Sequence, residues 1–381
     1  MKKQLLSALG LSLCLGGGAA WAEGITFNGF LTAGATYGDS EVGTQDGNIN
    51  NNVEFTNDTR IGIQLSAEVN PRVDVTAQLL ARAKEDNSDV VADWAFVSYK
   101  LTDPLKVRAG KLKLPTFLIS DYIEVGYAYP WIRPPQEVYF SNPISTINGV
   151  DLLYNAYFGD FNLLIQPYFG QSKGGEALIP QEVLPLLSPP PPPGTVAYLD
   201  FTAEEMKGIN LSIGTDFFTV RAGYLETKVN APFPGIDDDD VEFYSLGATL
   251  DWRNIVIYGE TFERKIDGVA NLAFPNQRGS YATLGYRIGK VLPHVTYAQL
   301  DEYDQEPFNP AAGYGQALEQ ESVTVGLRYE LGSGAALKLE AQRVEPEQGT
   351  RGLLIGDPND PALDDPSKSV NIYSIAIDVV F

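Results

Sequence analysis

Apolar and polar side chains alternate at every second position through most of this chain. From Ile25 to Tyr37 one face carries Ile25, Phe27, Leu31, Ala33, Ala35 and Tyr37. From Thr59 to Val69 it carries Ile61, Ile63, Leu65, Ala67 and Val69, with Arg60, Gln64 and Glu68 opposite. From Val73 to Ala83 it carries Val73, Val75, Ala77, Leu79 and Ala81, with Asp74, Gln78 and Arg82 opposite. A period of two is the signature of a strand with one greasy and one wet face. Further segments of this kind are predicted at Val91–Leu101, Leu105–Leu112, Gly149–Phe158, Phe161–Gly170, Gly208–Thr215, Phe217–Thr227 and Val241–Asp251. The remainder are Ile255–Arg264, Arg278–Ile288, Leu292–Leu300, Ser322–Leu331, Ala336–Val344 and Val370–Phe381. That makes about sixteen strands, an even number as bacterial membrane barrels require. The last segment ends on Phe381, with Val379, Ile377, Ile375 and Tyr373 on one face and Asp378, Ala376 and Ser374 on the other.

The connections between segments carry a second pattern. Short ones built from turn formers, such as Asn70-Pro71-Arg72, Thr102-Asp103-Pro104, Gly159-Asp160 and Gly332-Ser333-Gly334, alternate with long ones, such as Gly38–Asp58, Pro115–Asn148, Gln171–Lys207 and Glu345–Ser369. Short turns at one end and long loops at the other organise an up-and-down membrane barrel. Charged side chains recur opposite the apolar ones, with Glu242, Arg287, Arg328 and Glu330 assigned to the wet face or its rim. The expected arrangement is therefore an all-β, antiparallel, transmembrane barrel. Its apolar face meets lipid and its interior holds water.

Composition narrows the class. Residues 1–22 read as a signal peptide, with basic Lys2 and Lys3, an apolar Leu5–Leu15 and a small-x-small Ala20-Trp21-Ala22, so residues 23–381 form the single barrel domain. Cys14, the one cysteine, lies in that leader, which leaves the mature chain without disulfides or thiolate metal sites. Without Lys2 and Lys3 the 27 basic residues become 25, against 49 acidic, a net charge of −24 that argues against nucleic-acid binding. His294 is the sole histidine and sits beside a turn after Pro293, a poor basis for a Ser-His-Asp site, so the chain reads as not an enzyme. No zinc spacing or phosphate loop appears, and no cofactor or metal is expected.

The segment Pro115–Asn148 is too aromatic for a solvated loop, with Tyr122, Tyr127, Tyr129, Trp131, Tyr139 and Phe140. It is expected to fold into the lumen and pack on the wall. Asp121, Glu124, Arg133 and Glu137 would then set the narrowest point, together with Tyr127 and Tyr129. Arg60, Arg82 and Arg108, with Asp74, are placed on the channel wall, where bases facing loop acids create a transverse field. Lys106, Lys111 and Lys113 lie near the same wall, with Gly110 disturbing the register. The run Ser188–Gly194 is a polyproline stiffener of a surface loop, and Asp237–Asp240 a solvated acidic loop without calcium-loop spacing. Small outward residues (Ala67, Ala77, Ala81, Ala109) on the early strands contrast with outward Tyr154, Tyr224, Tyr244, Trp252, Tyr286, Tyr329 and Tyr373 later, so the first five strands are expected to face another subunit.

The leader, the alternating turns and loops, the strand ending on Phe381 and the aromatic third loop together resemble the Gram-negative trimeric porins. The stretches Gly110–Pro115 and Arg133-Pro134-Pro135-Gln136-Glu137-Val138-Tyr139 are most similar to the phosphate-selective and dicarboxylate-type branch. The Pro-Glu-Phe-Gly signature of enterobacterial general porins is absent. The resemblance implies a homotrimer of sixteen-stranded barrels in the outer membrane, in contact with lipid and lipopolysaccharide, passing ions and small hydrophilic solutes passively. The alternative is a substrate-specific channel for an anion such as phosphate or a dicarboxylate. An adhesive or structural barrel, or an enzyme, is the other class. Against a basic ladder, Arg60, Arg82 and Arg108 are offset by Glu68, Asp74 and Asp151, and the outer loops are acidic through Asp237–Asp240, Asp301, Glu302, Asp304, Glu306, Asp364 and Asp365.

Overall fold

A computed structural model describes residues 25–40, 43–44, 49–83, 89–178, 198–232, 236–272, 274–303, 318–347, 352–355 and 368–381. The leader, the polyproline run, Asp304, Glu306, Asp364 and Asp365 lie outside the described residues. Sixteen antiparallel strands form one closed barrel in which each strand pairs with its neighbours in sequence. They are β1 (Ile25–Gly38), β2 (Arg60–Asn70), β3 (Val73–Arg82), β4 (Asp89–Lys100), β5 (Leu105–Lys113), β6 (Thr146–Phe158), β7 (Phe161–Leu178) and β8 (Tyr198–Gly214). They continue as β9 (Phe218–Asn230), β10 (Asp239–Trp252), β11 (Ile255–Ile266), β12 (Gln277–Tyr286), β13 (Val291–Glu302), β14 (Gln320–Gly332), β15 (Ala335–Pro346) and β16 (Val370–Val380).

Closure occurs between β1 and β16, in a register that sets Leu31 opposite Val379 and Tyr37 opposite Tyr373. Phe381 extends the seam by exchanging two backbone bonds with Gly29, at 2.7 and 2.9 Å. With no edge strand, the ladder satisfies the backbone groups that lipid cannot. The predicted apolar face is the exposed one, through residues such as Ile63, Val97, Leu246, Leu284, Val325 and Ile377. Aromatic side chains at Tyr154, Tyr244, Trp252, Tyr286 and Tyr373 also point outward, as a membrane barrel places them.

Two expectations change. The strands β7 and β8 run well past Gly170 and begin well before Gly208. Their pairing shifts register between Gly170 and Ser172 and again between Lys173 and Gly175, and such bulges erase a period of two. Glu242 belongs to the outer face, not the wet one. It is two and four residues from the outward Tyr244 and Leu246, stands opposite Glu226 and Lys265, and accepts the Tyr244 hydroxyl at 3.3 Å. It lies at the long-loop end of β10, where outward residues turn from apolar to charged, as the Lys207–Glu226 pair at 2.8 Å also shows.

The interior is likewise less uniformly wet than its charges imply. The inward residues Phe243, Phe262 and Tyr281 of β10–β12 join Leu199, Phe201 and Met206 of β8 in one apolar cluster inside the barrel. Buried residues from the β5–β6 connection complete it, among them Phe117, Leu118, Trp131 and Val138. A lumen-facing apolar wall is stable only when something dry covers it.

Candidate functional site

The 114–145 segment linking β5 to β6 supplies that cover. It contains two 3-10 turns, Ser120–Tyr122 and Gly126–Ala128, and one short helix, α1 (Gln136–Tyr139). Pro134 and Pro135 precede α1, where the first turn has no use for their missing N–H groups. Phe117 stands edge-on to Phe243 and Phe262 at 5.4 and 6.3 Å between ring centroids. Trp131 stands edge-on to Tyr258 and Tyr281 at 4.9 and 5.5 Å. Its indole N–H reaches Thr283 at 3.1 Å and Thr296 at 2.9 Å. The wall makes room for the chain with glycines: a Cβ on Gly279 would lie 2.6 Å from the Glu137 carbonyl oxygen, and one on Gly247 would lie 3.1 Å from Leu118 Cβ.

Polar contacts run from this segment to the inward face of most strands. On β9, Arg221 donates to the Leu118 carbonyl at 3.2 Å and to Asp121 at 3.0 Å. On β11, Glu260 accepts the Leu118 amide and the Tyr139 hydroxyl, each at 2.6 Å, while Arg264 donates to the Ser141 carbonyl at 2.5 Å. On β15, Glu340 accepts the Ile132 amide at 2.9 Å. Arg133 donates to Ser374 of β16 at 2.6 Å, to Thr36 of β1 at 3.1 Å and to Asp58 at 2.7 Å.

Glu124 is the hub on the other side. Arg82 reaches it at 2.5 Å, Arg60 at 3.8 Å and Lys113 at 3.9 Å. Arg60 also donates to the Glu124 carbonyl at 2.9 Å and to the Tyr129 hydroxyl at 2.8 Å. Burial pushes the Glu124 carboxyl up, but Arg82, Arg60 and Lys113 outweigh it and hold the group below the ordinary carboxylate value. Lys113 pairs more closely with Asp93, at 2.8 Å. Thus Lys113 joins the hub, whereas Lys111 donates to the Ala92 carbonyl at 2.7 Å.

The inner wall from β5 to β9 carries a chain of side-chain bonds. Arg108 pairs with Asp151, and its guanidinium lies 5.1 Å from the Phe96 ring centroid. Gln166 donates to Asp151 at 2.9 Å, Asn210 donates to Gln166 at 3.2 Å, and Arg221 donates to Asn210 at 2.8 Å. Nearer the short-turn end Lys106 faces Asp74 at 3.4 Å.

The residues expected at a narrowest point divide accordingly. Asp121 and Tyr127 retain solvent contact, and Tyr127 donates to Glu330 at 3.1 Å. Glu124 and Arg133 are largely enclosed by their ionic partners. Tyr129 and Glu137 do not line water: both are buried, Tyr129 beneath Arg60 and Glu137 against Gln320 at 2.7 Å. Burial raises the Glu137 carboxyl above its ordinary range. Alternation cannot find such positions, because a packed loop has no fixed period. Nor did it single out Arg221, Glu260, Arg264, Lys338 and Glu340, whose inward parity was legible but whose partners lie more than 70 residues away in the chain.

Glu137 yields a test of this packing. Its raised value means folding favours the protonated form, so its stabilising share grows as pH falls toward the unfolded value of 4.5 and is lost as pH rises through the folded one. Glu137→Gln keeps the size and the Gln320 contact without a charge. Its thermal midpoint should exceed wild type at pH 7 by an amount matching roughly 1–3 kcal/mol, with the gain vanishing near pH 4. Equal midpoints at both pH values would count against a buried, charge-averse site.

A closed sixteen-strand barrel with an apolar outer band, a largely polar inner wall and a packed connection bound to that wall defines the class of bacterial outer-membrane channels. The family model described as Gram-negative porin matches residues 8–349, and the chain belongs to that family. It is an outer-membrane diffusion channel. No curated protein matches the chain. Among solved structures it is similar to OmpF of Salmonella typhi in complex with daunomycin, at 13% identity, a TM-score of 0.59, and coverage of 94% of this chain and 97% of that one. It is similar to the anion-selective porin from Comamonas acidovorans at 13% identity and a TM-score of 0.58, covering 94% and 99%. The in-vitro-folded OmpT of Vibrio cholerae in its trimer form gives 13% identity and a TM-score of 0.55, covering 94% and 99%. These likenesses concern the fold.

Proposed function

We propose that this channel passes ions and small hydrophilic solutes with weak charge preference, through a passage narrowed by residues 115–148, and that it performs no catalysis. The carrying observation is charge pairing. Asp121 meets Arg221, Glu124 meets Arg82, Arg60 and Lys113, and Asp151 meets Arg108. Lys113 also meets Asp93, so these five bases stand beside four acids and only a small net field remains to sort ions by sign. In this reading solute passes beside Asp121, Tyr127 and Arg82, which keep solvent contact at the loop and its wall. Purified protein in a planar bilayer should conduct, with a small reversal potential in a potassium chloride gradient; absence of current would overturn the channel, and a large potential would overturn the weak preference.

A second reading, an anion-specific channel, draws on Arg82, whose side chain is half exposed beside its acid, and on the anion-selective Comamonas neighbour. A strongly anion-selective reversal potential would favour it.

The assembly in this reading is a homotrimer exported under the leader 1–22 and seated among outer-membrane lipid and lipopolysaccharide. The outer face of β1–β5 carries an apolar groove of about 610 Å³ lined by Ile25, Phe27, Ala67, Ala77, Ala95 and Ala109. Small side chains let two barrel walls approach closely. Single cysteines at Ala67 and Ala109 should cross-link between copies; cross-links confined to β10–β13 would place the interface elsewhere.

A further inference from the structure

Lys338 of β15 is a long cation fully buried inside the barrel. Its ammonium donates to the Gly126 carbonyl and the Trp131 carbonyl, each at 2.6 Å, and stands 2.8 Å from Asp378 of β16. Two N–H groups therefore end on loop carbonyls, and the charge is paired with Asp378. The Tyr129 ring lies 4.9 Å away. Asp378 in turn accepts the Thr32 hydroxyl of β1 at 2.6 Å. One strand over, Arg328 of β14 donates to the Tyr127 carbonyl at 2.6 Å and the Tyr129 carbonyl at 3.1 Å. Four backbone oxygens between residues 126 and 131 thus end on two wall cations. Space is equally specified: a Cβ on Gly126 would lie 2.1 Å from an Asp378 carboxylate oxygen.

A lysine needed only to neutralise Asp378 would not spend two bonds on a distant loop. The contacts are to the loop backbone, on either side of Tyr129, whose hydroxyl Arg60 holds. We propose that Lys338 is a positioning residue: it clamps the 126–131 stretch against β14–β16 and thereby sets how far the loop stands from the facing wall, hence the width of the passage. This rests on the reading that residues 115–148 narrow the channel. Without the clamp, the carbonyls of Gly126 and Trp131 face Asp378 with no donor between them, and the stretch moves off the wall.

The test uses the full chain folded into membranes, with folding checked by the heat-dependent gel shift of the barrel. Lys338→Met removes the donor. The double variant Lys338→Met with Asp378→Asn also restores charge balance, and Gly126→Ala disturbs the seat without touching a charge. The clamp predicts altered single-channel conductance, more open-channel noise and a severalfold change in neutral-sugar uptake by liposomes in all folded variants, with Lys338→Arg close to wild type. Wild-type conductance, noise and uptake in the double variant and in Gly126→Ala would overturn it. If wild-type protein itself passes no current, the channel reading fails instead.

Discussion

Glu124→Gln should turn the channel toward anions. The substitution keeps the size of the side chain and removes the negative charge shared by Arg82, Arg60 and Lys113. Lys113 keeps Asp93, and Arg60 keeps the backbone carbonyl and the Tyr129 hydroxyl. Arg82 loses a carboxylate at 2.5 Å and, half exposed, carries its charge into the passage. One unit charge about 8 Å from a passing ion is worth about 2 kcal/mol at an effective dielectric of roughly 20, and about 0.8 kcal/mol after screening at physiological salt. That is about fourfold for each ion sign in opposite directions, so the anion-to-cation permeability ratio should rise on the order of tenfold. A reversal potential equal to wild type would show that Glu124 lies outside the ion path.

The same group sets a pH expectation. Its carboxyl is held below the ordinary value of 4.5, so the contribution of the hub is fully present above that value. It is lost as pH falls through the depressed one. Wild-type selectivity should therefore stay flat from neutral pH to about 4.5 and move toward anions only in stronger acid. Glu124→Gln should show the shifted selectivity at every pH.

Trp131→Ala should free the loop while leaving the barrel closed. The indole is almost wholly buried, edge-on to two tyrosines and bonded to Thr283 and Thr296. Truncating a buried tryptophan costs about 3–5 kcal/mol, and here that cost falls on the loop because the strand ladder does not run through Trp131. The two threonines still hold each other at 2.7 Å, so no strong polar penalty is left in the wall. Conductance should change and trypsin should gain access to Arg133. A protease-resistant loop with wild-type conductance would place the anchoring energy elsewhere, on Phe117 and the apolar cluster around it.

These effects follow from features that sequence reveals unequally. The strands were legible because a half-buried strand must alternate, and the 11 residues of β2 do so without interruption. The outer halves of β7 and β8 were not, because Glu205 takes a positive φ of 49° and two register shifts break the period. Within the candidate site, Asp121, Glu124 and Arg133 stood out as charges in an aromatic segment. Tyr129 and Glu137 stood out equally, yet packing buries them, and no local pattern separates a residue facing water from one facing a wall. The wall cations Arg221, Arg264 and Lys338 did not stand out, and Arg328 stood out only as a charge on the wet face. Their donors are directed to carbonyl oxygens of the loop, which only the folded chain brings within reach. Much of the apparent positive charge of the interior is therefore structural, which is why counting arginines along the wet faces overstates the pull on anions.

The wall holds residues 126–132 through main-chain atoms, which every amino acid carries, and through the buried side chains of Tyr129 and Trp131. Apart from Gly126, whose missing side chain is itself required, and the buried Tyr129 and Trp131, the grip is indifferent to what the loop displays toward the water. The barrel therefore works as a socket and the loop as an exchangeable fitting. Side chains at Asp121 and Tyr127 can be rewritten to admit a new solute without refitting the sixteen strands that carry them.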